Sequence, residues 1–183
     1  MDVEIFDVAY NIIGGGEEGD KKRVETKEQA DHSLPYLIAV ALLDGKVMPE
    51  QYSADRINRE DVQQLLRRVF VTPNREYSTK FPARMPCRIT VTLKDGSDFS
   101  REQEDYPGFL TRRMSWQDCI QKFAALCAPF ATNELIRAIA DHIADCENRK
   151  PGDLARLLCQ AKLRGLAGQA DAKRVQAGGR NET

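Results

Sequence analysis

Lys27 and His32 stand five residues apart at the start of an apolar run, where they could hold a carboxylate and move a proton. A histidine with a pKa near ~6.5 exchanges protons at neutral pH, and a lysine supplies a fixed positive charge. The amides at a helix start would add attraction for an anion. We therefore predict a pocket for an anionic group in which Lys27 binds a carboxylate and His32 transfers or orients the proton. The alternative is a capping or surface histidine beside a solvated lysine.

A buried helix must position these two residues. The run Leu37 to Leu43 is apolar all round, Pro35 suits the first helical turn, and Gly45 suits the end. Ser33 or Asp31 can cap the start. In one continuous helix, a separation of five residues would turn two side chains about 140° apart. Lys27 is therefore predicted to lie in the loop before the helix.

The remaining pattern predicts an α+β two-layer sandwich with a mainly antiparallel sheet and packed helices, followed by C-terminal helices. Alternating residues predict strands at 3–5 and 69–71 and a hairpin at 87–104 whose turn is Lys94-Asp95-Gly96. Asp7 and Asn58 are the expected caps of two further helices, and the proline-containing stretch 72–86 is expected to be irregular. Three helices are expected at 115–127, 133–148 and 154–166, and a disordered tail at 167–183.

Composition narrows the function classes. Lys and Arg total 27 against 28 Asp and Glu, so no long-range field favours nucleic acid or an anionic membrane. The five cysteines include no CxxC pair and do not cluster with the two histidines, which argues against structural zinc. No apolar leader or membrane-spanning run is visible, so we expect a cytoplasmic protein. Because no metal-binding or nucleotide-binding pattern is visible either, we also expect no metal or other cofactor.

Four segments resemble the MmgE/PrpD (2-methylcitrate dehydratase-like) family. They are KEQADHSLPYLIAVALLDGKV (27–47), FPARMPCRITVTLKDG (81–96), YPGFLTRRMSW (106–116) and the helix that begins at Trp116. Together they extend over about residues 1–150 in the expected order. Within the first segment, the residues that match the family pattern are Lys27, Asp31, His32, Ser33, Tyr36 and Gly45.

The resemblance implies a lid-like α+β domain over residues 1–130, and helices over 131–166 that in the family return to a large helical domain. It implies metal-free chemistry in a cleft between the two domains, and this chain matches only the lid side. We therefore expect part of a hydro-lyase that acts on a polycarboxylate and is incomplete without a helical partner chain. The alternatives are a homodimer with an interface site and a noncatalytic lid remnant or assembly subunit.

The resemblance also implies roles for individual residues. His32, Lys27 and Tyr77 are the expected catalytic residues, with Tyr77 in the position of a substrate-facing tyrosine. Lys27, Ser33 and Arg84 are the expected substrate-binding residues, although Ser33 is equally explained as a helix cap. Arg84 could bind either a substrate carboxylate or a neighbouring strand carbonyl.

Overall fold

The computed structural model describes residues 1–162, which form two compact units. The first unit is Met1–Arg113 and the second begins at Met114. The predicted boundary at residue 130 refers to the family's domain plan and stays a prediction. The predicted disordered tail, 167–183, lies outside the described residues.

A four-stranded sheet lies at the centre of the first unit. Its strands occur in the order β2-β1-β3-β4. β1 runs parallel to β2, whereas β3 runs antiparallel to both β1 and β4. The mainly antiparallel sheet with its helices confirms the predicted α+β class. The strands are β1 (Asp2–Ile5), β2 (Phe70–Pro73), β3 (Cys87–Thr92) and β4 (Asp98–Gln103).

The hairpin between β3 and β4 has the predicted turn. The Leu93 N–H donates to the Ser97 carbonyl at 2.8 Å, which closes the loop. Gly96 has φ 85°, a left-handed conformation that glycine adopts without the steric cost of a Cβ atom. The hairpin is thus specified locally by its turn residues.

Alternation along β1 buries one face of the sheet. Val3 is fully buried against Ile38 and Val69. Ile5, two residues further along β1 and therefore on the same face, packs with Phe6 and Tyr77. Helices of the first unit cover this face, and a second cluster lies among the helices themselves, around Tyr36, Val40, Val62 and Leu66.

The first unit has six helices among its described residues, most of them short. α1 (Asp7–Ala9) continues into a wider helical turn, Tyr10–Gly14, and a 3₁₀ turn, Pro49–Tyr52, precedes α4. The others are α2 (Lys27–Asp31), α3 (Leu34–Asp44), α4 (Ala54–Ile57), α5 (Glu60–Leu66) and α6 (Arg75–Lys80).

Three local predictions were wrong. Asp7 is the first residue of α1 rather than its cap. Asn58 follows the last residue of α4 and bonds back to Ala54, so it ends a helix instead of starting one. The stretch 72–86 contains α6, whose first turn is capped by the Asn74 side chain at the Tyr77 N–H. The N-caps of α1 and α5 are Phe6 and Arg59, each one residue from the predicted cap, and α6 fits between Pro73 and Pro82.

The buried helix predicted after Ser33 is α3. Ser33 caps it, Pro35 lies in its first turn, and Gly45 ends it with φ 69°, as predicted. The prediction that α3 is buried on all sides was wrong, because Leu42 and Leu43 are 54% and 42% exposed. α3 therefore has a buried face and an exposed apolar end.

The second unit consists of helices with clear start signals. α7 (Trp116–Cys127) begins with the predicted capping box of Ser115 and Asp118. α8 (Asn133–Ala144) is capped by Thr132, and α9 (Pro151–Leu158) begins at Pro151 rather than after Asp153. None of the helices in residues 1–162 is long and apolar enough to cross a membrane.

Candidate functional site

The joint between α2 and α3 carries the predicted site residues Lys27, His32 and Ser33. Lys27 is the first residue of α2, so the loop predicted around it is instead a separate five-residue helix. His32 follows the last residue of α2, and Ser33 caps α3. The chain therefore changes direction between two helices at His32, which resolves the conflict that one continuous helix would have created.

The Lys27 ammonium is held by a residue of its own helix. Its Nζ lies 2.8 Å from Oδ2 of Asp31, one helical turn further on, and 6.0 Å from the centre of the Tyr52 ring. The hydrogen bond and charge of Asp31 raise the pKa of Lys27 above its usual 10.5. Lys27 is therefore a positive charge at any physiological pH, and its side chain remains exposed to solvent.

The His32 imidazole is oriented by the backbone of the same helix. Its Nδ1 lies 3.1 Å from the carbonyl oxygen of Glu28, four residues earlier. The pairs Lys27–Asp31 and Glu28–His32 lie one residue apart along α2, so they occupy neighbouring stripes about 100° apart. The side chains of Lys27 and His32 are both exposed to solvent, and they make no hydrogen bond to each other.

Ser33 is fully buried and its hydroxyl has two partners. The hydroxyl donates to the Lys21 carbonyl at 2.6 Å and accepts from the Tyr36 N–H at 3.1 Å. The cap interpretation is therefore correct. The substrate-binding role of Ser33 stays a prediction, and it would require the serine to exchange one of these partners.

The start of α3 offers an anion less than was expected. Pro35 has no N–H, the Tyr36 N–H bonds to Ser33 Oγ, and the Leu37 N–H bonds to the Ser33 carbonyl. Ser33, Pro35 and Tyr36 are also buried. Only the Leu34 amide remains in the first turn, so a set of free helix amides is not part of the candidate site.

Tyr77 lies in the hydrophobic cluster of Ile5 and Phe6, against which Leu34 at the start of α3 also packs. The Tyr77 side chain is 1% exposed, and its hydroxyl has no hydrogen-bond partner within residues 1–162. Burial, together with the nearby Glu102 carboxylate, raises the pKa of Tyr77 to about 12. The tyrosine is thus a neutral, enclosed phenol here, and its catalytic role stays a prediction.

Arg84 has only a loose ion partner. Its guanidinium Nη1 is 3.9 Å from Asp105 Oδ2, and the side chain is 44% exposed. The described contacts include no strand carbonyl for this guanidinium, and binding of a substrate carboxylate stays a prediction. No contact joins Arg84 to Lys27 or His32 among the residues described.

The family model for the MmgE/PrpD C-terminal domain matches residues 1–146, which is most of the chain. The chain belongs to the MmgE/PrpD family. The resemblance inferred from the sequence is thereby confirmed.

Two curated relatives of this MmgE/PrpD chain are decarboxylases. Cis-aconitate decarboxylase of Mus musculus is 24% identical over 124 residues, which cover 68% of this chain and 25% of that protein. The protein of the same name from Homo sapiens is 27% identical over 129 residues, which cover 67% of this chain and 25% of that protein. The chain thus spans about a quarter of the length of the relatives it matches.

Two neighbours of Lys27 were not predicted from the sequence. Asp31 was considered as a helix cap, but it is the ion partner of Lys27; the four-residue spacing on a helix is the signal that could have found it. Tyr52 comes from a turn 25 positions later in the chain, and no local pattern links it to Lys27. Within the described residues, no group of three or more His, Cys, Asp or Glu is arranged to hold a metal ion.

Proposed function

We propose that this chain is the lid-side part of a lyase that acts on a polycarboxylate, with 2-methylcitrate dehydratase-like chemistry. Lys27 binds a substrate carboxylate and His32 transfers a proton next to it. The observation that carries the proposal is the α2–α3 joint, where both side chains are exposed and each is oriented from within α2, by Asp31 and by the Glu28 carbonyl. Family membership supports the same assignment.

The contacts of Lys27 suggest how a substrate would enter. The ammonium is already paired with Asp31, whose side chain is 35% exposed, so an incoming carboxylate would share or replace that partner. An exposed ion pair contributes little to stability, and such an exchange would therefore cost little. The raised pKa of Lys27 keeps the lysine cationic, so it serves as an anion holder and not as the base.

Decarboxylation of cis-aconitate is the second candidate reaction, because two relatives are cis-aconitate decarboxylases. Both candidate reactions place negative charge beside a carboxylate, one after loss of a proton and the other after loss of CO₂. A cation such as Lys27 and a proton carrier such as His32 would serve either reaction. The products distinguish them.

An apolar groove in the second unit is a candidate docking surface for the proposed helical partner chain. The groove has a volume of about 220 Å³, and Trp116 and Ile143 on its rim are 51% and 42% exposed. Apolar surface that is exposed to solvent is a common component of protein contact sites. The lining residues are Trp116, Cys119, Ile120, Phe123, Ala140 and Ile143. We propose that an all-helical polypeptide carrying the rest of the active site docks here, and a homodimer is the competing outcome.

The turnover experiment compares the chain alone with the chain plus a helical partner. Each sample receives 2-methylcitrate or cis-aconitate, with alkene absorbance reporting dehydration and CO₂ release reporting decarboxylation. We expect no turnover by the chain alone and turnover of one substrate by the pair. In the pair, His32→Ala should lower the rate by on the order of 10² to 10⁴. An unaltered rate would remove His32 from the mechanism, and turnover by the chain alone would refute the need for a partner.

A binding experiment tests Lys27 without any partner. Tricarballylate, a nonreacting tricarboxylate, is titrated into the chain, with NMR signals of the α2–α3 joint as the readout. About two charge-assisted contacts predict a dissociation constant on the order of 1 mM. Lys27→Met should abolish the response. Lys46→Met is the matched control, since Lys46 forms an equivalent exposed pair with Glu50 four residues away. Equal losses in both variants would reduce the effect to general charge attraction.

A further inference from the structure

The hydrogen bond of His32 identifies which ring nitrogen carries the proton. Nδ1 lies 3.1 Å from the Glu28 carbonyl oxygen, and a carbonyl oxygen only accepts hydrogen bonds. Nδ1 must therefore be the donor, in both the neutral and the protonated ring. In the neutral ring this leaves the lone pair on Nε2.

The end of α2 explains why this carbonyl is free to hold the ring. In a continuing helix the His32 N–H would donate to the Glu28 carbonyl, but here it turns to the Ala30 carbonyl. The imidazole replaces the missing backbone donor, a common way to satisfy a carbonyl at a helix end. Thr26 and Gln29 fix the other end of α2 with a reciprocal capping box, so the Glu28 carbonyl is held in place.

We propose that His32 exchanges its proton through Nε2, with the Glu28 carbonyl as the positioning group that keeps the other proton on Nδ1. His32 is exposed, and Nδ1 makes its one hydrogen bond within residues 1–162, so Nε2 is open to a ligand. The catalytic meaning of this assignment rests on the proposed function.

The proton step then has a defined direction. Nε2 uses its lone pair to take a proton from the carbon beside a substrate carboxylate, and the electrons of the broken C–H bond remain on that carbon. The resulting imidazolium keeps its Nδ1–H bond to the Glu28 carbonyl, which is stronger when the donor is charged. Nε2 later returns the same proton to the leaving group or product.

The tautomer can be measured on the chain as it is. Histidine is labelled with ¹⁵N, and long-range ¹H–¹⁵N spectra are recorded about two pH units above ~6.5, where an ordinary imidazole is neutral. His142 is the only other histidine, so His142→Gln assigns the signals. We expect an N–H-type shift at Nδ1 and a lone-pair-type shift at Nε2 of His32. One hydrogen bond should enrich this tautomer about 5-fold over the urea-unfolded chain.

Two outcomes separate this inference from the proposed function. A His32 ring with its proton on Nε2, or with the same tautomer ratio as the unfolded chain, would overturn the assignment. Tricarballylate added to the same sample should shift Nε2 more than Nδ1. A ring with the proton on Nδ1 that ignores tricarballylate would support the tautomer assignment while contradicting the proposed substrate site.

Discussion

Replacing Arg56 with methionine should destabilise the first unit strongly, because its guanidinium joins three helices. The side chain is 10% exposed and donates two hydrogen bonds to Asp44, at 2.9 and 2.6 Å. A third, at 3.0 Å, goes to Asp61. Asp44 ends α3, Arg56 lies in α4 and Asp61 lies in α5. The arginine therefore fixes the helix whose first turn adjoins His32.

The expected loss follows from these contacts. Charge-assisted hydrogen bonds contribute about 1.5–3 kcal/mol each, and breaking a buried pair leaves a charge without its partner. Asp44 keeps a bond from Gln51 at 3.0 Å and is 18% exposed, so water can replace part of what is lost. Methionine preserves most of the apolar stem of Arg56. We expect a total of about 2–3 kcal/mol, or on the order of 10 °C in the melting temperature.

The two units can be followed separately by spectroscopy. All five tyrosines lie in the first unit and the single tryptophan, Trp116, lies in the second. Near-ultraviolet tyrosine circular dichroism should show the earlier unfolding of Arg56→Met, whereas Trp116 fluorescence reports the second unit. Arg59→Met is the control: Arg59 also bonds Asp61 at 3.0 Å but is 63% exposed, so about 0–0.5 kcal/mol is expected. Equal effects of the two variants, or a loss below about 1 kcal/mol for Arg56→Met, would refute the reasoning.

Three further predictions concern individual groups. Arg56 lowers the pKa of Asp44 from 3.8 to about 2. Because the pKa is lower in the folded state, the ionised Asp44 should contribute fully to the free energy of unfolding above about pH 4, and this contribution should disappear towards pH 2. Unfolding midpoints against pH should show this dependence, and Asp44→Asn should lack it. Tyr36→Phe should lower the free energy of unfolding in urea by about 1–2 kcal/mol, because the buried hydroxyl donates to the Gln51 carbonyl. Tyr77→Phe should leave that free energy unchanged or raise it, because the Tyr77 hydroxyl has no partner among the described residues. A loss for Tyr77→Phe as large as that for Tyr36→Phe would show that the Tyr77 hydroxyl does form a hydrogen bond. Burial raises the pKa of Cys87 to about 11, so mass spectrometry should find it the slowest of the five cysteines to be alkylated at about pH 8.

Local signals predicted much of the secondary structure. The Ser33 and Ser115 caps, the glycine at the end of α3 and the turn of the β3–β4 hairpin are all as predicted, because each depends on residues within a few positions of one another. The failures at Asp7, Asn58 and α6 are also local. The caps at Asp7 and Asn58 are displaced by one residue, and the six residues of α6 fit between Pro73 and Pro82, two prolines that favour irregular structure.

The candidate site divides in the same way. The spacing of Lys27 and His32 required a break between them and the body of α3, and the structure has that break. The Asp31 partner was readable from the spacing. The neighbouring Tyr52 and the enclosed position of Tyr77 were not, since both depend on residues far away in the chain.

By itself, the sequence determined the family, the fold class, and the exclusion of Lys27 and His32 from the body of α3. Those features follow from residue types and short spacings, which act before distant segments meet. Only the tertiary structure decided that Ser33 and Tyr77 are buried and that Tyr52 lies beside Lys27. Each of these depends on packing between segments that are distant in the chain, which short spacings do not encode.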